Sequence, residues 1–357
     1  MCDDHEHAAA GAARAAEAAQ AAPRAAEGPA VDPVTLPEVD QVTITTMVDN
    51  IFDALLPSAD GIARTAMGAG RVPAAQYAGG EAIAGLRAEH GFSALVTVRS
   101  DDATTTLLFD TGASPDALAV NAQRLGIDVH AVQGIVLSHG HFDHTGGLDG
   151  LARLLGRSGL PLTVHPAVWT RRRLQLPDGQ ILDMPTLSRS ALERDGFELI
   201  ERRQPSLLAG GILITGEVDR TTEFERGMPP QHQAWDGRDW RHDAAVIDDQ
   251  ALVIRVRGRG LVVMTGCGHA GLVNIVRHAM RLTGEDRLLA VIGGFHLNGP
   301  AFEPIIEPTV TALTELAPDL IVPGHCTGWR AQHALAAALP DAWAQTSVGT
   351  TYTLSAA

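Results

Sequence analysis

The sequence predicts an α+β fold in which two facing β-sheets are covered by helices. Three observations carry this expectation. Short β-rich runs recur in both halves of the chain from Val42 onward, which supplies enough strands for two sheets. Amphipathic helical stretches are interspersed among them and need an apolar surface to cover. A chain of 357 residues with 45% hydrophobic and 19% charged residues can bury a sizeable core, as one large domain or two modest ones.

The elements follow in order. Residues 1–38 are low in complexity, with alanine runs and then "GPAVDPVTLPEVD", and read as a flexible alanine-rich tail. The "CDDHEH" at its tip contains metal-ligand types, as mobile tails acquire them by chance. The domain proper is expected over 39–357. "VTITTMV" alternates like a half-buried strand, and "SALVTV" and "TTTLLF" continue the β pattern. "DALAVNAQRLG" reads as a helix stopped by Gly126. "GIVLS" is a short buried strand, "LDGLARLLG" a helix and "LPLTVHP" a strand. Residues 166–245, rich in Arg, Pro, Asp and Gly, read as an insertion covering one face, with strand-like "GILITGE" inside it. "ALVIRV" and "GLVVMTG" then form a hairpin. "AGLVNIVRHAMRLTG" is a helix with Leu272, Ile275, Val276, Ala279 and Leu282 on one side and Gly284 as its stop. "RLLAVIGG" and "PDLIVPG" are buried strands flanking a helix near "PTVTALTEL", and "SVGTTYTL" closes the chain.

Composition excludes several function classes. Lys and Arg total 27 against 42 Asp and Glu, a net charge of −15, so a nucleic-acid or anionic-membrane surface is not expected. No apolar run reaches the roughly 18–20 residues that span a bilayer. The acidic, alanine-rich start does not read as a secretory signal. Three cysteines (Cys2, Cys267, Cys326) make no disulfide framework, and a cytoplasmic protein with a small-molecule substrate is the expectation.

The most informative stretch is "SHGHFDHTGG", Ser138 to Gly147. Side chains alternate along an extended segment, so His139 and His141 point the same way and can share one cation. Asp143 and His144 follow after the chain begins to turn and can face a second cation close by. Gly146 and Gly147 let the backbone bend and approach the site. Imidazole nitrogen and carboxylate oxygen suit Zn²⁺, Fe or Mn²⁺. A histidine-rich surface loop is the plain alternative, but three histidines and an aspartate at a strand end, before a glycine pair, argue for a metal site.

These residues match the H-x-H-x-D-H signature of the metallo-β-lactamase superfamily. The resemblance extends through "LLFDTGAS", "VVMTGCGHAGLVNIV", "VIGGFHL" and "IVPGHCTGW" in the expected order. With "MVDN" and "EHGFSALV" it resembles the branch that includes the archaeal dihydropterin–ribofuranosylaminobenzene 5′-phosphate synthase and related uncharacterised hydrolases. The resemblance implies an αββα sandwich of two mixed sheets with two divalent metal ions, Zn first and Fe or Mn as alternatives, at one edge. It implies His139, His141 and His269 at the first metal, and Asp143, His144 and His325 at the second. Asp143 would also orient an attacking water, and His296 in "GGFHL" would face the substrate.

One residue departs from the pattern. Many dinuclear members carry a bridging aspartate where this chain has Cys267, which is either a thiolate ligand or a small buried filler. Cys326 reads as structural. "FDTGAS" carries the D-T-G of aspartic proteases, but in a single copy, so Asp110 is expected to orient a ligand histidine or the loop, against the plainer reading of a turn. Asp49, Asn50, His90 and Ser93 read as ordinary strand-end polar residues. Arg171, Arg172 and Arg173 beside Trp169 read as a solvated face, with an anionic-substrate contact as the alternative; Arg220 and Glu225 are similarly ambiguous. His165, His232 and His242 have no spacing that recruits them. No nucleotide-binding glycine motif follows a strand. The functional expectation is a metal-dependent hydrolase acting on a phosphoester or carbonyl ester-type substrate, phosphorylated compounds included. The alternatives are a pterin-related ribofuranosylaminobenzene phosphate synthase or transferase, and a non-catalytic metal-dependent binding protein.

Overall fold

The computed structural model describes residues 33–66, 70–101, 103–156 and 159–357. "CDDHEH" and the rest of the first 32 residues lie outside them. The remaining part of the stretch read as tail is packed: Leu36 is buried, the Val34 amide donates to the Leu282 carbonyl, and Glu38–Val39 pairs in parallel with Ala251–Val256.

Two mixed sheets face each other. The first orders its strands Phe197–Glu201, Leu160–Val164, Ile135–Val136, Ala103–Phe109, Ser93–Ser100, Gln41–Val48, Thr351–Ser355 and Ile62–Ala63. The second runs Ser206–Leu208, Ile212–Ile214, Ala251–Val256, Gly260–Thr265, Leu288–Gly294 and Leu320–Gly324. Period-2 alternation directs Val42, Ile44, Val96 and Phe109 of the first sheet against Ile254, Val262, Met264 and Ile292 of the second. The opposite faces take helices. Ala117–Leu125 and Leu148–Leu155 cover the first sheet through Leu118, Leu148 and Leu151. Leu272–Thr283, Ile306–Leu316 and Trp329–Ala338 cover the second through Leu272, Ile275, Val276, Leu313 and Leu335. The result is the α+β, αββα sandwich. Gly126 and Gly284 stop their helices in left-handed backbone, with φ of 67° and 66°. Among the described residues, no helix is long and apolar enough to cross a membrane.

Residues 166–245 are not one inserted block. Their middle returns to the core: Phe197–Glu201 extends the first sheet, and Ser206–Leu208 with Ile212–Ile214 forms an edge of the second. The flanking portions pair with each other, giving a separate antiparallel sheet ordered Ile181–Asp183, Arg172–Gln175, His232–Trp235, Trp240–His242. Irregular composition concealed this pairing, because its partners lie about sixty residues apart and each strand is only three or four residues long.

Candidate metal centre

The centre forms where strand ends of both sheets meet. Strand Ile135–Val136 runs into Ser138, and His141 still has extended backbone before the helical turn Phe142–Thr145 begins. His139 and His141 therefore leave on one side, with His139 Nε2 3.0 Å from His141 Nδ1. The turn then redirects Asp143 and His144. From the second sheet, the loop after Gly260–Thr265 supplies Cys267 and His269, and the end of Leu320–Gly324 supplies His325.

Two groups of donor atoms result. His139, Cys267 and His269 each place one atom within 4.8 Å of the others, and so do Asp143, His144, Cys267 and His325. His269 Nε2 stands 3.2 Å from His139 Nε2, which joins His141 to the first group through His139. His325 Nε2 is 3.4 Å and His144 Nε2 3.8 Å from Asp143 Oδ2. Cys267 belongs to both groups, its Sγ 3.1 Å from His144 Nε2. All seven side chains are buried.

The surrounding hydrogen bonds fix which ring nitrogen faces inward, as metal-ligating histidines require. His144 Nδ1 donates to Asp110 Oδ2 at 2.7 Å, freeing Nε2. Asp110 also accepts from the Ser138 amide and hydroxyl, both at 2.7 Å, and Ser138 Oγ takes the His139 Nδ1 proton at 2.9 Å. His325 Nδ1 donates to Asn50 Oδ1 at 3.1 Å. On the other side His232 Nδ1 donates to the Asp243 carbonyl, so its Nε2 accepts from His141 Nε2 at 3.0 Å and leaves His141 Nδ1 free. Each of these partners turns a lone pair toward the centre.

Electrostatics agree for His139, His141 and His269. Burial first, and neighbouring histidines second, hold His139, His141 and His269 well below the usual histidine range, so all three are neutral. Burial opposes charge on His144 too, but Asp110 and Asp143 outweigh it and push that ring up to about 9, so without a cation its Nε2 keeps a proton that a metal ion would displace. Burial likewise works against the Asp143 carboxylate, yet His144 and His325 hold it well below the usual carboxylate range. The residues fit divalent cations. The neutral imidazoles of His139, His141 and His269 crowd their lone pairs together, and buried His325 Nε2 faces Asp143 Oδ2 at 3.4 Å without a well-formed hydrogen bond.

Every residue assigned to a metal from the motif, together with Asp110 and Cys267, is brought to this one rim. His296 lies at its margin, its ring 4.3 Å from His269 and perpendicular to Phe302, with Nδ1 buried and unpartnered. His296 and Cys326 also form a third donor group with Cys267. Several residues passed over in the sequence belong here. Asn50 and His232 set ring tautomers. Asp49 accepts the His325 amide at 3.3 Å, while burial raises its carboxyl to about 6. His90 Nε2 stands 3.6 Å from Asp143 Oδ2. The "MVDN" and "EHGFS" clusters were a usable signal; nothing in the local pattern marked His232, which arrives on the separate sheet. Arg172 is not part of a solvated face. It is buried and paired to Asp243 and Asp248, and Asp248 accepts the Gly140 amide at 2.8 Å, which ties the separate sheet to the His139–His141 loop. Arg171 and Arg173 instead lie over Trp235 and Trp240.

Comparison with known proteins matches this architecture. A model of the metallo-beta-lactamase superfamily matches residues 87–276. The chain is 30% identical over 248 residues to the 7,8-dihydropterin-6-methyl-4-(beta-D-ribofuranosyl)-aminobenzene-5'-phosphate synthase of Methanocaldococcus jannaschii, spanning 69% of this chain and 83% of that protein. It is also 30% identical over 247 residues to an uncharacterized protein of the same organism, spanning 68% and 86%. A crystal structure described as a metal-dependent hydrolase of the beta-lactamase superfamily superposes with a TM-score of 0.64 at 26% identity, covering 88% of this chain and 99% of that one. The chain therefore belongs to the metallo-beta-lactamase superfamily and carries the fold and ligand clusters of a metallohydrolase.

Proposed function

We propose that this metallohydrolase uses two divalent cations to cleave a phosphoester or carbonyl ester-type small molecule. The observation carrying the reading is the convergence of hydrogen-bond-oriented rings in two adjoining groups, His139 and His141 with His269, and His144 and His325 with ionised Asp143. His139, His141 and His269 would hold one cation, and Asp143, His144 and His325 the other, with Cys267 between them. The mixture of imidazole, carboxylate and thiol suits Zn²⁺ first; Fe and Mn²⁺ share the nitrogen and oxygen part. Bound cations supply Lewis acidity, which lowers the pKa of water from about 16 to about 7 and polarises the electrophile.

The chain's own groups do the rest. Asp143 stays ionised beside His144 and His325 and accepts a hydrogen bond from the attacking water. His296, at the margin of the donor groups, donates to the oxygen on which charge develops. Asp110 and Asn50 keep their histidines from rotating, so the site is preorganised. His141→Ala and Asp143→Ala, assayed against phosphodiesters, lactones and thioesters, should each lower turnover by about 100-fold or more. Undiminished turnover overturns the mechanism.

A second reading, a pterin-related ribofuranosylaminobenzene phosphate synthase or transferase, is favoured by the 30% identity to the archaeal synthase. Calorimetric binding of reduced pterins and ribosyl phosphates, followed by detection of a joined product, separates it from hydrolysis.

A further inference from the structure

A cavity of about 420 Å³ opens beside His269 and His296. Its walls include Phe224, Leu272, Phe295, Leu297, Phe302 and Ile305, a partly aromatic lining of a size that suits small ligands, together with the charged Glu223, Glu225 and Arg226, the last donating through Nε to the Glu223 carbonyl. The His269 and His296 rings line it where it meets the donor groups: the His296 centroid is 4.3 Å from that of His269 and 4.5 Å from that of Phe302, with His296 and Phe302 perpendicular. A group seated in the cavity would therefore have its inner end next to the centre.

The cavity also contains a feature that ordinarily attracts anions, the first turn of the 12-residue helix Leu272–Thr283. Here that turn is already occupied from within the protein. Glu225 Oε1 accepts the Val273 amide and Oε2 the Asn274 amide, both at 2.8 Å. Gly271 packs so closely on Glu225 that a Cβ there would stand 2.5 Å from the carboxyl carbon. The internal carboxyl group takes the Val273 and Asn274 amides, so those two donors are not available to a second anion.

We propose that this cavity receives an uncharged aromatic portion of the substrate, and that any phosphate or carboxylate the substrate carries stays at the donor groups. The inference rests on the hydrolytic reading of the centre and narrows its substrates to aryl esters or aryl phosphoesters. It is tested on the zinc-loaded full chain by calorimetric binding of 2-naphthol, and by KM for 2-naphthyl against methyl esters and phosphodiesters. Naphthol is expected to bind, and the naphthyl substrates to show KM lower by at least about tenfold. Phe302→Ala, which removes a wall, and Ala301→Trp, which fills the cavity from a turn, should each weaken naphthol binding by a similar factor. Absence of naphthol binding, equal binding by wild type and a folded variant, or displacement of naphthol by inorganic phosphate from chelator-treated chain would overturn the inference. Binding needs no turnover, so the two readings fail separately. Naphthol bound without hydrolysis of any ester sinks the hydrolase; hydrolysis without naphthol binding sinks the cavity assignment.

Discussion

Cys267 sits where both donor groups overlap, at the place for which the family resemblance implies a bridging aspartate. Burial pushes its thiol well above the ordinary cysteine range, so as a free side chain it would stay neutral, and only a cation would make it a thiolate. A ligand and a filler then make different predictions. If Cys267 is a ligand, Cys267→Ala should lower metal affinity by about 10–100-fold, and Cys267→Asp should restore most of it. Elemental analysis after dialysis reads this directly; wild-type metal content in the alanine variant would make Cys267 a filler. Asp249 carries a different consequence. Its Oδ2 accepts the Ala270 amide at 2.8 Å, but Oδ1 is buried without a partner, and burial raises the carboxyl to about 7. Because the folded value lies above the unfolded one, this contribution is fully present below about 4 and is lost as pH rises through about 7. Asp249→Asn should therefore gain stability relative to wild type on going from pH 5 to pH 8, by about 2 kcal/mol in urea denaturation. An unchanged difference between the two pH values would mean that Asp249 is ionised throughout.

At the scale of elements, the turn and helix that follow the histidine motif decide whether Asp143 and His144 reach the centre. Gly146 and Gly147 are expected to let the chain both bend and approach the site closely. Their φ values are −64° and −78°, ordinary helical backbone, so bending is not what requires them. Close approach is. A Cβ on Gly146 would lie 1.8 Å from the Ala113 carbonyl oxygen, one on Gly147 2.1 Å from that of Thr111, and one on Gly150 1.5 Å from that of Pro115. The helix start is thus pressed onto the 111–115 loop, and the Thr111 amide donates to the His144 carbonyl at 2.8 Å. A methyl at Gly146 must push these segments apart. Gly146→Ala should cost about 1–3 kcal/mol and also lower metal content, since His144 moves with the turn. A stability loss with full metal occupancy would show that the turn adjusts without carrying its ligands along.

For the whole molecule, legibility followed how local the physics was. Alternating strands such as Gln41–Val48 and glycine-stopped helices such as Leu272–Thr283 report themselves in a single window, and the ligand run His139–His144 does the same for one half of the centre. Helix Trp329–Ala338 and the antiparallel sheet around Arg172 went unread, the first because alanine-rich helices show a weak apolar stripe, the second because its pairing is long-range. His232 was invisible for the same reason, since its role depends on a strand that reaches the centre only in three dimensions. This long-range construction has an energetic consequence. Ligands come from loops of both sheets, so cations would cross-link strand ends that otherwise meet through crowded neutral imidazoles. A cation held by the folded chain and not by the unfolded one stabilises it by RT ln(1 + [L]/Kd), about 2.7 kcal/mol at 100 times Kd. Stripping metal with a chelator should therefore lower the unfolding temperature by several degrees, and adding back Zn²⁺ should recover it. In His141→Ala the same treatment should move the transition much less. Equal shifts in wild type and variant would mean that the chelated metal was bound elsewhere and that the rim at His139–His144 holds none.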